Sequence, residues 1–284
     1  MTVSVASHMG RRSSQQDRAA AFSLDLANGR NVRILMVLDG AGGHQGGEVA
    51  STLGLSVISG SLTSALVANE GIGPEDLPHI IRKALKEAHR SILRVASSNE
   101  SLSGMASTAV VTAVLDDHAV VLWSGDSRCY LHRPSHIELL TRDHSVPQDL
   151  VRAGQLRPTE ALFHPEGNVI TSCLGHPSRL GMETRIVRLL PGTTLILGSD
   201  GMTEVFSGKD IAALVESNRS PPEGSSLAGV IVDAAIRSGS QDNTTCLAYC
   251  HTASGCGWQA SKTIVAGFDH ELANMQYDVL RKEI

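Results

Sequence analysis

The chain has 284 residues, of which 42% are hydrophobic, and a formal net charge of −5. This length supports one main domain with a substantial core. The absence of a basic excess argues against nucleic acid or an anionic membrane surface as a partner. Aromatic residues make up only 3% of the chain, which argues against a stacking platform for bases or sugars.

Targeting and cysteine signals point to a soluble protein. Residues 1–5 show no basic segment leading into an apolar one, and we expect no later apolar stretch to be long enough to span a bilayer. Five cysteines without Cys-x-x-Cys spacing suit a reducing compartment. We therefore expect a cytoplasmic protein that does not bind membranes.

A cluster of sulfur and imidazole groups near the carboxyl end could in principle hold zinc. It consists of Cys246, Cys250, His251 and Cys256. Cys246, however, falls in the apolar alternation of a predicted strand, where a buried cysteine is the ordinary interpretation.

The first half of the chain predicts a hairpin followed by two helices. Apolar runs at residues 21–27 and 32–38 flank Asn28-Gly29, the strongest short hairpin signal, and place Asp39 at the far end of the second strand. Helical composition starts at Gly46. A second helical segment carries apolar residues spaced by three and four over residues 81–95, after a turn-rich stretch at residues 69–78.

The second half predicts a meander of short strands and two more helices. Residues 109–115 and 118–123 form a hairpin around Asp116-Asp117; further strands are expected at residues 128–132, 137–140, 193–197 and 244–249. Helices are expected near residues 210–218 and 227–238. The pattern indicates an α+β fold: a β-sandwich of two antiparallel sheets with helices outside. We expect one domain over residues 1–250 and a tail of unknown role over residues 251–284, ending in a charged segment with helical character.

Four aspartates carry the chemistry. Asp39, Asp126, Asp200 and Asp242 each stand beside a glycine or asparagine and next to an apolar run. Each motif alone is typical of a turn. Hard divalent cations need several carboxylate oxygens from separate segments, so the four together predict a metal-dependent hydrolase.

Seven ordered segments make the chain resemble the PP2C-type, metal-dependent serine/threonine protein phosphatases over roughly residues 9–250. The segments are residues 10–17, 39–43, 104–109, 125–128, 140–144, 199–201 and 242–243. The resemblance implies a central β-sandwich flanked by helices, with the site at one end. It also implies a two-metal centre whose bridging water or hydroxide attacks the phosphorus of phosphoserine or phosphothreonine.

The resemblance also implies roles for individual residues. Asp39 would bridge both metals, the Gly40 carbonyl would ligate one of them, and Asp200 and Asp242 would complete the other. Arg12 would hold the phosphate; without the downstream motifs it would be a solvated surface arginine. A third, weaker site would use Asp126, Asp200 and Glu204, where an aspartate is more usual than Glu204. The cofactors would be two or three Mn²⁺ or Mg²⁺ ions, since oxygen-only ligands favour these over zinc.

Two departures from the family pattern bear on mechanism. Gln16 stands where many members have a glutamate that contacts metal-bound water, which predicts weaker metal affinity. Ala41 stands where eukaryotic members have a histidine proposed as general acid, so another group must protonate the leaving group. An apolar residue here is bacterial in style.

The expected partners are phosphorylated proteins, including a cognate serine/threonine kinase and its substrates. Two alternatives stay open on the sequence. One is a catalytically silent phosphoprotein-binding or signalling module, which Gln16 and Ala41 favour and the four aspartates oppose. The other is a phosphatase that acts mainly as a sensor or assembly partner through residues 251–284.

Overall fold

The computed structural model describes residues 3–69, 71–161, 163–177, 180–222, 224–252 and 264–266. The predicted helical segment at residues 271–284, and Cys256 of the considered zinc cluster, lie outside the described residues.

The strands form two large antiparallel sheets and one small one. The five-stranded sheet has the order β1-β12-β11-β8-β9, the six-stranded sheet the order β10-β7-β6-β3-β2-β13, and β4 pairs with β5. The strands are β1 (Val3–His8), β2 (Arg18–Asp25), β3 (Asn31–Leu38), β4 (Gly40–Ala41), β5 (Ala106–Ser107), β6 (Ala109–Leu115), β7 (His118–Ser124), β8 (Arg128–Arg133), β9 (His136–Leu139), β10 (Glu183–Arg188), β11 (Thr194–Gly198), β12 (Thr244–Cys250) and β13 (Ile264–Ala266).

The helices pack on the outer faces of the two large sheets. Two long helices cover the six-stranded sheet, and two shorter ones cover the five-stranded sheet. The helices are α1 (Gly43–Val67), α2 (Leu77–Ser98), α3 (Val146–Arg152), α4 (Pro158–Ala161), α5 (Asp200–Thr203), α6 (Gly208–Ser217) and α7 (Leu227–Arg237), with a 3₁₀ turn at Glu100–Leu102.

Three apolar layers hold this α-β-β-α stack together. Side chains alternate along β3, so Ile34 and Met36 pack toward α1 and α2 while Leu35 and Val37 face the other sheet. The third layer joins the five-stranded sheet to α6 and α7. Because β3 is covered on both faces, its sequence reads as a nearly continuous apolar run. The structure confirms the predicted α+β β-sandwich flanked by helices.

The predicted hairpins and main helices are present. Asp25 pairs with Asn31 across the first turn, and Gly29 has φ 78°. Asn28 does not have positive φ, so the hairpin forms with a longer loop, residues 26–30, in place of the two-residue type I′ turn that Asn-Gly favours. Leu115 pairs with His118 in the second hairpin. The prediction missed β1 and β10, which are half-exposed edge strands with little apolar content facing the core. It also missed β13, which pairs with β2 at residues 19–21.

One expectation needs correction: α1 does contain an apolar stretch of membrane-spanning length. Among the described residues, Gly46–Val67 is long and apolar enough to meet that test by length and composition. In the fold this helix packs against α2 and the six-stranded sheet, where Ile58, Leu62 and Leu66 have no exposed surface. Its apolar character is explained by packing in the helical layer of the domain.

Candidate metal centre

The acidic residues converge because of strand direction. β3 and β7 are both antiparallel to β6, so Asp39 after β3 and Asp126 after β7 emerge at one end of the six-stranded sheet. In the facing sheet, β11 ends where the antiparallel β12 begins, which brings Asp200 beside Asp242. The four predicted aspartates therefore lie at one end of the sandwich, although they come from four distant parts of the sequence.

Asp39 and Asp200 form the centre of the cluster. Their carboxyl groups lie close enough for each to shift the pKa of the other. Burial, followed by repulsion from Asp200 and Asp17, raises the pKa of Asp39 well above its ordinary value. Burial and the charge of Asp242 raise the pKa of Asp200 to about 6. Negative charge is thus concentrated where little solvent can screen it.

The backbone around Asp39 is held by a hydroxyl pair. The Asp39 N–H donates to Thr108 Oγ1 at 3.0 Å, and the Thr108 N–H donates to the Asp39 carbonyl at 2.8 Å. Thr108 Oγ1 in turn contacts Ser127 Oγ at 2.7 Å. At Gly40 two segments of the chain approach each other closely, since a Cβ there would lie 2.1 Å from the Gly47 carbonyl oxygen. Only glycine fits this position without displacing α1.

Asp17 is a member of the cluster that the sequence interpretation quoted in a motif without assigning it a role. It is fully buried, and its Oδ2 accepts a 2.7 Å hydrogen bond from Ser199 Oγ, which itself accepts from the Thr245 N–H at 3.0 Å. Burial, opposed by these hydrogen bonds, raises the pKa of Asp17 to about 7. Its position directly before β2, antiparallel to the strand that ends at Asp39, is the signal that would have found it.

Asp126 follows β7, which lies two strands away from β3 in the six-stranded sheet. Burial and the charge of Asp200 raise the pKa of Asp126 to about 7. The turn before it is tight: Gly125 has φ 110°, and its N–H donates to His144 Nδ1 at 3.1 Å. The aspartate is therefore held in place by its neighbours' backbone contacts.

Asp242 and Arg12 form an ion pair at the rim. The loop that carries Arg12 is attached to this segment by Asn243, whose side-chain amide donates to the carbonyls of Met9 at 2.9 Å and Ser14 at 3.0 Å, and accepts from the Gln16 N–H at 2.7 Å. The Arg12 side chain keeps 59% of its surface exposed, so it can reach a ligand from solvent.

Glu204 lies at the periphery. It is exposed, and its Oε1 accepts hydrogen bonds from Ser240 Oγ at 3.1 Å and the Gln241 N–H at 3.4 Å. Its charge contributes to the raised pKa of Asp200. It therefore faces the loop before β12.

The donor set fits hard divalent cations. Only oxygen atoms converge, the local charge is strongly negative, and two buried carboxylate oxygens, Oδ1 of Asp17 and Oδ1 of Asp126, accept no hydrogen bond from the described residues. Within the described ranges, no three acidic, histidine or cysteine side chains already surround one common point. The carboxyl groups instead contact each other and Arg12.

Comparisons with known proteins agree with this geometry. The model of the protein phosphatase 2C family matches residues 6–227. The serine/threonine phosphatase stp of Listeria monocytogenes is 31% identical over 238 residues, which is 83% of this chain and 90% of that protein. Protein phosphatase PhpP of Streptococcus pneumoniae is 30% identical and covers 77% of this chain and 85% of its own length.

Solved structures show the same likeness. The serine/threonine phosphatase of S. agalactiae superposes with a TM-score of 0.74 at 29% identity, covering 88% of this chain and 99% of that one. The serine/threonine phosphatase PstP/Ppp of Mycobacterium tuberculosis gives a TM-score of 0.71 at 27% identity, covering 88% of this chain and all of that one.

A β-sandwich with carboxylates gathered at one end defines a phosphatase of the PP2C type, and the chain belongs to the protein phosphatase 2C family. Its activity is that of a protein serine/threonine phosphatase. Phosphatases of this family are generally metal-dependent.

Proposed function

We propose that the chain removes phosphate from phosphoserine and phosphothreonine at the carboxylate cluster, with two Mn²⁺ or Mg²⁺ ions and a weaker third one. The observation that carries this proposal is the convergence of Asp39, Asp126, Asp200 and Asp242 from four strand ends beside an exposed arginine. Oxygen-only donors favour these metals over zinc.

Each acidic residue has a place in this proposal. Asp39, at the centre of the cluster, would ligate both principal ions, with the Gly40 carbonyl completing one side and Asp200 and Asp242 the other. Asp126, Asp200 and Glu204 would hold the third ion. Glu204 would have to leave its hydrogen bonds to Ser240 and Gln241 to do so, which would make this site the weakest.

When bound, the two principal ions lower the pKa of a water molecule and neutralise charge on the phosphoryl oxygens. The protein's own residues orient the reaction. The Arg12 guanidinium would leave Asp242 and donate two hydrogen bonds to phosphate oxygens, which fixes the phosphorus in line for attack. Asp17, held by Ser199, would accept a hydrogen bond from solvent next to the principal ions through its free Oδ1.

The leaving hydroxyl needs a proton, and Ala41 cannot supply one. Ala41 is exposed in β4, next to Gly40. Solvent at the cluster is the proton source that this arrangement leaves for the leaving group. The same exposure leaves room for a bulky protein substrate.

Partners and location follow from the same proposal. The substrates would be phosphorylated proteins, including a serine/threonine kinase and its targets. A cytoplasmic location is supported by the free thiols of Cys129, Cys173 and Cys246, which are buried and unpaired among the described residues. We propose a phosphatase domain over residues 1–250, to whose six-stranded sheet β13 adds one strand, and we assign no further role to residues 251–284.

The decisive experiment compares the metal-stripped protein with and without millimolar Mn²⁺ or Mg²⁺, on para-nitrophenyl phosphate and on a phosphothreonine peptide. Asp39→Asn removes the central charge, so we expect kcat to fall on the order of a hundredfold or more while the circular dichroism spectrum is unchanged. Asp25→Asn, at the exposed end of β2 beside the hairpin turn and far from Asp39, is the matched control and should retain full turnover.

A near wild-type kcat for Asp39→Asn would refute the assigned centre. Folded wild-type protein with no turnover under any metal would instead leave a silent phosphoprotein-binding module as the explanation. The two results are distinguishable because the first concerns the variant and the second the parent protein.

A further inference from the structure

A cavity lies at the opposite end of the sandwich from the metal centre. Its volume is about 500 Å³, and we call it the basal cavity. It is lined by Arg33 of β3, Asp116 and Asp117 of the β6–β7 turn, residues 188–191 at and after the end of β10, and Tyr249 and His251 at the end of β12. Six residues of extended β3 separate Arg33 from Asp39, roughly 20 Å, so the two sites are distinct.

Arg33 is unusual in its position. Alternation along β3 places it on the same face as Leu35 and Val37, between the two sheets. The two β3 side chains that share this face, Leu35 and Val37, are apolar. Its Nε is buried and has no hydrogen-bond partner among the described residues. The hydroxyl of Ser23, its direct cross-strand neighbour, is buried and unpartnered in the same part of the structure. Buried donors are seldom left unpaired, so this pair indicates a missing polar partner.

The charges around the basal cavity favour an anion. Asp117 already accepts from Arg188 Nε at 2.7 Å and from His118 Nδ1 at 2.8 Å, and Asp116 is paired with Arg30. Within the described ranges Arg33 has no acidic partner. Both lining aspartates are thus compensated while the Arg33 guanidinium is not.

The rest of the lining is suited to an organic molecule. Leu189, Leu190 and Pro191 supply an apolar wall, and the Leu190 side chain is half exposed toward solvent. Tyr249 and His251 add a polar corner, where the tyrosine hydroxyl lies 3.3 Å from His251 Nδ1. A cavity of this volume is within the range of small-molecule sites, and its lining combines this apolar wall with charged and polar groups.

We propose that the basal cavity binds a small organic anion. Its carboxylate or phosphate group would accept hydrogen bonds from the Arg33 guanidinium, and its apolar part would cover residues 189–191. The planar edge of a guanidinium matches either group with two parallel hydrogen bonds, so the chemistry of recognition is shared between them.

The test titrates the full-length protein with benzoate, phenylphosphonate and neutral benzamide, using isothermal calorimetry and amide chemical shifts. We expect saturable binding of at least one anion, with shifts at Arg33, Leu189 and Leu190, and no binding of benzamide. Arg33→Gln should weaken that binding at least tenfold. Arg90→Gln, which removes an exposed arginine on α2 outside the cavity, should change it less than twofold.

Two further variants make the outcome unambiguous. Arg33→Lys keeps the charge but loses the planar edge, so it should also weaken binding, and it decides the question if Arg33→Gln does not fold. Arg12→Ala identifies any phenylphosphonate bound at the metal centre. Absence of saturable binding by both anions, or equal affinity in the folded Arg33 variants, would overturn the proposal. Since no turnover is measured, neither result bears on the phosphatase activity.

Discussion

At the scale of single residues, Arg12 has two competing partners. In the structure its guanidinium pairs with Asp242 at the rim of the carboxylate cluster. The proposed function needs the same group to hold a phosphate. Because most of the Arg12 side chain is exposed, its ion pair with Asp242 contributes little free energy, and exchanging Asp242 for a phosphate costs little stability.

Replacing Arg12 by alanine should therefore affect substrate binding most. We expect Arg12→Ala to raise KM for a phosphothreonine peptide on the order of tenfold, with a smaller effect on kcat, since the principal carboxylates are untouched. Steady-state kinetics at saturating Mn²⁺ measures both constants. Arg11→Ala, at the exposed neighbouring residue, is the control. An unchanged KM would return Arg12 to the role of a solvated surface residue.

His132 is a second residue whose environment has a measurable consequence. Its side chain is buried on β8, and this burial, opposed by the nearby Glu216, lowers its pKa below the ordinary value of 6.5. The unfolded chain therefore binds a proton at a pH where the folded protein does not. Stability contributed by the neutral imidazole is complete above about pH 6.5 and is lost as the pH falls below it.

We accordingly expect wild type to lose stability relative to His132→Gln between pH 7 and pH 5. Urea denaturation at each pH gives the slope of the free energy of unfolding against pH for each protein. The other shifted groups are common to both proteins and cancel in the comparison: His89, His144 and His251, and the buried aspartates, whose raised pKa has the opposite effect. His136→Gln, at an exposed position on β9, serves as control and should keep the wild-type slope. Identical slopes for wild type and His132→Gln would contradict the assignment.

At the scale of elements, the loop between β1 and β2 is built to lie against the segment before β12. Gly10 has φ 65°, and a Cβ there would lie 2.2 Å from the Asp242 carbonyl oxygen. The Arg11 N–H donates to the Gln241 carbonyl at 2.9 Å across the same contact. This close approach is what brings Arg12 and Asp17 to the metal centre.

Gly10→Ala should separate the two segments. We expect it to lower the free energy of unfolding by about 1–3 kcal/mol and to reduce metal-dependent turnover, because both backbone strain and a steric clash must be relieved. Gly29→Ala is matched in conformation, with φ 78°, but has open space around its Cβ. Gly29→Ala should therefore lose only the stability that backbone strain costs and should keep its metal-dependent turnover. Equal losses of activity in the two variants would mean that the contact with Asp242 does not matter.

At the scale of the whole molecule, β13 extends the six-stranded sheet at its β2 edge. Residues Ile264–Ala266 pair with residues 19–21, directly after the buried Asp17 and Arg18. An uncovered strand edge exposes unpaired backbone groups and invites association. Part of the carboxyl-terminal region thus protects the sheet that carries Asp39.

Truncation can separate protection of the edge from catalysis. A chain ending at residue 252 should have a lower melting temperature and associate more readily than wild type, whereas a chain ending at residue 266 should retain both properties. We expect kcat of the folded fraction to stay within about twofold in both, since the strand ends that carry the aspartates remain paired. Thermal scans, light scattering and turnover measure these quantities. Equal stability of the two truncated chains would show that β13 contributes nothing.

Local signals were sufficient to predict much of this molecule from its sequence. Asn28-Gly29 indicated a hairpin, and Gly29 does adopt the positive φ that glycine allows. The spacing of four apolar residues indicated one face of a helix, and all four are fully buried: Ile81, Leu85, Ala88 and Ile92. The order of the aspartate motifs indicated both the family and the acidic centre. These features depend on residues close together in the chain, whose preferences hold whatever the tertiary context.

Other features depended on contacts between distant segments. Only strand order and direction decided that Asp17 joins the four aspartates, that Asn243 attaches the Arg12 loop, and that Arg33 faces inward at the other end of the sandwich. In the apolar run of β3 no alternation was visible, since both faces are buried, and so nothing local marked Arg33 as an inner residue. Motif and turn preferences act within a few residues, whereas burial and charge repulsion depend on which distant segments meet.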